Sequence, residues 1–189
     1  MPLKPKIRLL NLIFLHILNY VAKINSNLTL ICFKVLNLYT STILFIVMED
    51  LVNLLSKFIR LVAIRLPDDV YNALKELSSK ENSCWGKEVY SIMFDNIRLA
   101  LEKNVPVCQD TGVLMFFVDA GADFPYLNVL PDAIHAATVR ATEEVPLRPN
   151  VVEPFIEKNT GNNVGTRLPW IEWNILPDTS YADITLYLA

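Results

Sequence analysis

Four consecutive residues, Cys108, Gln109, Asp110 and Thr111, offer a thiolate, an amide, a carboxylate and a hydroxyl, and Gly112 closes the run. Little else in the 189 residues is so dense in chemistry. Pro106 restricts its own φ and pushes Val105 toward extended backbone, while Gly112 permits a tight turn or a close backbone approach. These constraints predict a loop that aims several polar groups at one spot. Taken alone, a Cys-Gln-Asp run also fits a polar turn before a strand, with the cysteine serving as a small apolar side chain.

The elements that must position this loop follow from hydrophobic spacing. Leu51, Leu54, Leu55, Phe58, Ile59 and Val62 recur on one helical face, which predicts a helix from Glu49 that ends before Pro67. Pro67-Asp68-Asp69 starts a second helix, with proline in the first turn, two carboxylates near the positive end of the dipole and a buried stripe at Val70, Leu74 and Leu77. After a break at Ser78–Ser83, the residues Val89, Ile92, Met93, Ile97, Ala100 and Leu101 mark a third helix with a core-facing stripe. That helix delivers the chain to Pro106.

Beyond the loop, Val113–Val118 has the length and continuous apolarity of a buried strand, with Gly121 at its end. Pro131–Glu144 reads as a fourth helix with Ile134, Ala137, Val139 and Ala141 inward. Glu143 and Glu144 sit where the helix dipole favours cations, so that end must fray or find a partner. Two alternating runs, Ile171–Ile175 and Ile184–Leu188, predict strands joined around Pro177-Asp178-Thr179-Ser180. The fold class is therefore α+β: N-terminal helices, then a mixed sheet with packed helices.

Charge divides the chain. Residues 1–47 carry five basic side chains and no acid, whereas residues 48–189 hold 12 basic and 20 acidic, a net charge of −8. No basic patch interleaved with aromatics occurs in the acidic part, which argues against nucleic acid as the partner. The run Leu28–Val47 matches the roughly 20 residues needed to cross a bilayer. Lys34 and Asn37 interrupt it, which makes insertion marginal. Because the pattern becomes orderly immediately after Met48, the division expected is a non-native hydrophobic extension over 1–47, or else a weak membrane segment, and a catalytic domain over 48–189. Three cysteines without regular spacing do not suggest a disulfide framework, and a reducing cytoplasm is the simplest compartment.

The octapeptide Val105-Pro106-Val107-Cys108-Gln109-Asp110-Thr111-Gly112 resembles the signature of the class I, iron-sulfur-dependent fumarate hydratases and the related L-tartrate dehydratase α subunits. The later segments Ala133–Glu144, Pro146-Leu147-Arg148-Pro149-Asn150 and Glu157–Asn163 are similar to the same family in the same order. Two separated motifs in register are far more specific than one. The resemblance covers roughly residues 86–189. It implies a hydro-lyase α subunit, here its N-terminal part and incomplete as a domain, that hydrates fumarate to malate reversibly on a 4Fe-4S cluster, with L-tartrate as the alternative substrate.

Residue by residue, the resemblance makes Cys108 a cluster ligand, Gln109 a donor to a substrate carboxylate, Asp110 a group that orients substrate or assists proton transfer, and Arg148 a carboxylate clamp. It places the polar Asn159-Thr160-Gly161-Asn162-Asn163 turn at the border of the site. Family members use three cysteines for the cluster, two of them from segments further along. Cys32 and Cys84 precede the motif, so only Cys108 carries over. The family pattern continues after the region resembling Tyr181–Ala189 with a glycine-rich stretch and the other cysteines, so the remaining ligands are expected from such a segment, and the site's completion from a β subunit or a C-terminal domain within a homo- or hetero-oligomer. A non-catalytic remnant that binds a β-like partner is the alternative. His135, the one histidine of the acidic part, reads as structural.

The break at Met48 makes residues 1–47 dispensable for folding of the remainder. Residues 48–189 expressed beside the full chain are expected to match it in solubility and thermal unfolding; a soluble full chain beside an insoluble shorter one would refute the division.

Overall fold

The computed structural model describes residues 6–9, 32–108, 110 and 112–188, with side chains from Phe45 onward. Gln109 and Thr111 lie outside the described residues, as does the first part of the Leu28–Val47 run. Chain order is β1 (Lys6–Leu9), α1 (Cys32–Ile64), α2 (Asp68–Lys80), α3 (Cys84–Lys103), β2 (Leu114–Gly121), α4 (Leu130–Glu144), β3 (Val152–Glu153), β4 (Lys158–Asn159), β5 (Trp170–Leu176) and β6 (Ala182–Leu188). The protein is α+β, as its sequence pattern predicts.

The apolar run Leu114–Val118 becomes the inner strand β2 of a four-stranded sheet ordered β1-β6-β2-β5. β2 runs parallel to β5 and antiparallel to β6, so the sheet is mixed. Its even-numbered side chains, Leu114, Phe116, Val118 and Ala120, are buried together with Ala182, Ile184 and Leu186 of β6. Against them lie Leu51, Leu55, Phe58 and Ile59 of α1 and Leu130, Ile134, Ala137 and Ala141 of α4. Burying a side chain such as Phe116 or Leu55 contributes about 1.5–3 kcal/mol, so this layer dominates the fold.

α1 and α4 are also joined across their polar rims. Arg140 bridges to Glu49 at 2.9 Å and donates to Asn53 Oδ1 at 2.7 Å. The buried Ser56 hydroxyl donates to Glu144 Oε2 at 3.1 Å, which supplies the partner that the end of α4 requires. Tyr126, packed edge-on against Phe124, has a buried hydroxyl with no hydrogen-bond partner among the described residues, and burial holds its phenol above the ordinary range.

Several elements depart from the sequence pattern. α1 begins at Cys32 and runs through Met48 without a break, and Val47 on the upstream side belongs to the core. Leu54, placed by spacing on the inner face, is exposed. The stripes of α2 and α3 are mostly not buried: α2 has no buried residue, and α3 buries only Ile97 and Ala100 while Val89, Ile92, Met93 and Leu101 are exposed. The reason is topological. α1 and α4 occupy the covered face of the sheet, and α2 and α3 lie off it, α2 meeting α3 through an edge-on Tyr71–Phe94 contact and α3 touching α1 over a similarly small area. Among the described residues no helix is long and apolar enough to cross a membrane.

The two C-terminal strands are joined at 177–181 but do not pair; they flank β2 on opposite sides. The connection therefore passes over the end of β2, where Gly121 N–H donates to Tyr181 O at 2.9 Å, Ala122 N–H to Leu176 O at 2.9 Å and Asp123 N–H to Thr179 O at 3.1 Å. A Cβ on Gly121 would sit 1.8 Å from Thr179 O, a backbone atom that cannot swing aside. Gly121→Ala is expected to destabilise by about 1–3 kcal/mol or more. At roughly 2–4 °C per kcal/mol for a chain of this size, thermal unfolding reads the loss, and an unchanged midpoint would remove the crossing from the account.

Candidate active site

α1 and α3 together fix the start of the cysteine loop. α3 ends at Asn104, a left-handed residue with φ 56°, a conformation asparagine tolerates better than most residues. Arg60 of α1 donates to the Asn104 side-chain carbonyl. Pro106 is buried, Val107 N–H donates to Ala63 O at 3.0 Å, and Asn96 Nδ2 donates to Val107 O at 2.7 Å. Val107 is thus pinned through both its N–H and its C=O, immediately before Cys108. Cys108 and Asp110 are exposed, and Gly112 closes the loop at φ 67°, where a side chain would be strained.

The far end of the loop is held by the second motif. Asn150 Nδ2 donates to Gly112 O at 3.0 Å, which brings Pro146–Asn150 alongside the loop although 38 positions separate the two residues. Arg148 is exposed on this segment. Behind it, the asparagine-rich turn supplies further bonds: Asn159 Nδ2 donates to Pro149 O at 2.7 Å, Thr160 N–H to Val151 O at 3.0 Å, and Asn163 Oδ1 accepts from Asn150 N–H at 2.8 Å. Asparagine side chains act here as backbone surrogates, which suits an irregular segment whose N–H and C=O groups have no sheet to join.

The structure therefore joins the segments that carry Cys108, Asp110 and Arg148. It leaves His135 out: the ring Nδ1 donates to Pro131 O at 2.8 Å, one turn back on α4, a local bond within one helix. An open cleft between α2 and α3, lined by Arg65, Tyr71, Phe94 and Arg98, contains none of the motif residues. Sequence reading treated Asn163 only as part of a polar turn. The signal available was an Asn-Asn pair just after a glycine, since such residues accept left-handed backbone, and Asn163 has φ 60° with its side chain buried.

With the loop, the arginine segment and the asparagine turn in one place, similarity to known proteins becomes informative. The model of the fumarate hydratase (fumerase) family matches residues 52–189. The chain belongs to this family. It is 45% identical over 141 residues to the L(+)-tartrate dehydratase subunit alpha of Escherichia coli K12, and to the same subunit of Shigella sonnei, covering 75% of the chain and 46% of each relative. A Methanocaldococcus jannaschii relative is 42% identical over 114 residues, which is 59% of this chain and 40% of that protein. The chain thus spans less than half the length of these relatives.

The cysteines present do not fit a four-iron cluster by themselves. Among the described residues no three His, Cys, Asp or Glu side chains converge as metal ligands. Cys84 opens α3, whose other end leads into the loop; a 20-residue helix at 1.5 Å per residue sets it about 30 Å away. Cys32 opens α1, and the Val107–Ala63 bond lies near that helix's other end, so roughly 45 Å of helix separates Cys32 from Cys108. Cys32 and Cys84 thus stand in the helical turns farthest from the loop. Anaerobic reconstitution of the 189-residue chain with iron and sulfide is expected to yield well below one cluster per chain, and stoichiometric iron and sulfide would overturn this reading.

Proposed function

We propose that this chain is part of a hydro-lyase α subunit that adds water reversibly across the double bond of a four-carbon dicarboxylate, with fumarate and malate as the pair. The observation that carries the proposal is the Asn150–Gly112 hydrogen bond, which sets the arginine motif beside the Cys108–Gly112 loop. A dicarboxylate needs a cation for at least one carboxylate and a polar group for the reacting carbon. Arg148 meets the first need, because a planar, always-charged guanidinium grips a carboxylate through two parallel N–H donors. Gln109 donates to a carboxylate of the same substrate.

In the dehydration direction the C–H bond beside one carboxylate breaks as its proton leaves, the electron pair forms the double bond, and the hydroxyl departs as water. Asp110 either orients the substrate for this step or takes part in the proton transfer, and its exposure on the loop leaves it accessible to a bound ligand. A 4Fe-4S cluster is the cofactor this reading calls for, with Cys108 as the chain's thiolate. The positions of Cys32 and Cys84 leave the other ligands to polypeptide outside these 189 residues. A β subunit or a C-terminal domain completes the assembly, a reading supported by relatives named as alpha subunits.

L-tartrate is the second substrate reading, and the names of the relatives favour it. Both substrates present two carboxylates and a hydroxyl, so the arginine clamp serves either. Comparing L-malate and L-tartrate as substrates of the completed enzyme decides between them.

Arg148→Lys keeps the charge but loses the two-donor fork. In the completed enzyme the expected loss is one charge-assisted hydrogen bond, about 1.5–3 kcal/mol, or roughly a tenfold to hundredfold fall in kcat/KM for the dicarboxylate. Folding and cofactor content should hold steady, since Arg148 is exposed on a loop. A variant as active as its parent would remove Arg148 from the site.

A further inference from the structure

Asn163 is 1% exposed, in left-handed backbone, and its side chain bonds three residues on two different segments. Its Oδ1 accepts from Asn150 N–H at 2.8 Å. Its Nδ2 donates to Arg148 O at 3.2 Å and to Thr142 Oγ1 of α4 at 3.2 Å. Thr142 in turn donates to Thr138 O at 2.8 Å and to Asn162 O at 3.2 Å, so the anchor is the buried face of α4. From Asn150 the chain of bonds continues through Nδ2 to Gly112 O.

We infer that Asn163 is a positioning residue: it clamps the backbone on both sides of Pro149 to α4 and, through Asn150, sets the Cys108–Gly112 loop against Arg148. The inference rests on the proposal that these two segments form one site. An amide suits the task because it both donates and accepts. The acceptor takes the Asn150 N–H, and the two N–H groups tie Arg148 O and Thr142. A buried amide with these three bonds also has only one geometry that satisfies them, which is what a positioning element needs. Neither its own exposure nor any contact with the loop would reveal this role; it acts one residue removed.

The test uses the full chain and nuclear magnetic resonance relaxation. Asn163→Gly retains the left-handed backbone without strain and removes the amide. Order parameters at Gly112, Val113, Arg148 and Asn150 are expected to fall from about 0.85 toward 0.6 or below, while β2 and β6 keep theirs. Asn150 amide exchange should accelerate by about twofold to tenfold, at 1.4 kcal/mol per decade for a hydrogen bond of ordinary strength. Asn163→Asp keeps the acceptor and should restore protection of the Asn150 amide.

Unchanged order at 112–113 and 148–150, an even loss spread through β2 and β6, or failure of aspartate to restore the Asn150 amide would each overturn the assignment. Should the glycine variant not fold, Asn150→Asp replaces the donor to Gly112 O by an acceptor; order lost at 112–113 supports the relay and order kept refutes it. These readouts do not depend on turnover. A normal result here beside a silent Arg148→Lys would discard the function and keep the clamp.

Discussion

Burial of the even-numbered face of β2 is the constraint on which the other parts depend. Leu114, Phe116, Val118 and Ala120 need a covering layer, and α1, before β2 in the chain, and α4, after it, supply it. Once α1 lies on that face, its last turns present Arg60 and Ala63 to the segment that enters β2, and the cysteine loop has a fixed start. Once α4 lies there, its last turns present Thr142 to the asparagine turn, and the arginine segment has a fixed anchor. Packing and site geometry are thus one arrangement, since the helices that close the core are the ones that hold the two motifs.

The loops between are held by a few buried apolar side chains, Val145, Leu147 and Val151, and by many polar bonds. Between Val145 and Gly165 the strand pairing is a two-residue ladder, β3 with β4. Backbone groups there find partners in Asn159, Asn162 and Asn163 side chains. Each such bond is worth only about 0.5–1.5 kcal/mol net, but an unmade one in a buried place costs about 1–3. The result is a segment with little intrinsic stability and a sharply defined shape.

Much was legible in advance because its cause is local. The period of Leu51, Leu55, Phe58 and Ile59 reports one face of a helix, and those residues are the buried ones. Alternation over Ile171–Ile175 and Ile184–Leu188 locates β5 and β6. The reactive octapeptide and its partner motifs were readable as text. Where the sequence misled, the missing information was about neighbours. Val89, Ile92 and Met93 repeat as a core stripe would, yet α3 has no second layer to press against among the described residues, and they remain exposed. Leu54 lies at the edge of a face whose centre alone is covered.

The sequence by itself determined the α+β class and the order of the longer helices and strands after Met48, and it located the octapeptide and its partner motifs, because periodicity, turn residues and motif content are properties of adjacent positions. Only the tertiary structure decided that β5 and β6 straddle β2 instead of pairing, since strand order depends on which apolar faces α1 and α4 leave open, and a loop can cross a strand end only where Gly121 lacks a Cβ. It also decided that Gly112 and Asn150 touch, and that Cys32 and Cys84 stand far from Cys108. Those are distances set by rigid helices and by long-range hydrogen bonds, and no pattern confined to neighbouring residues encodes them.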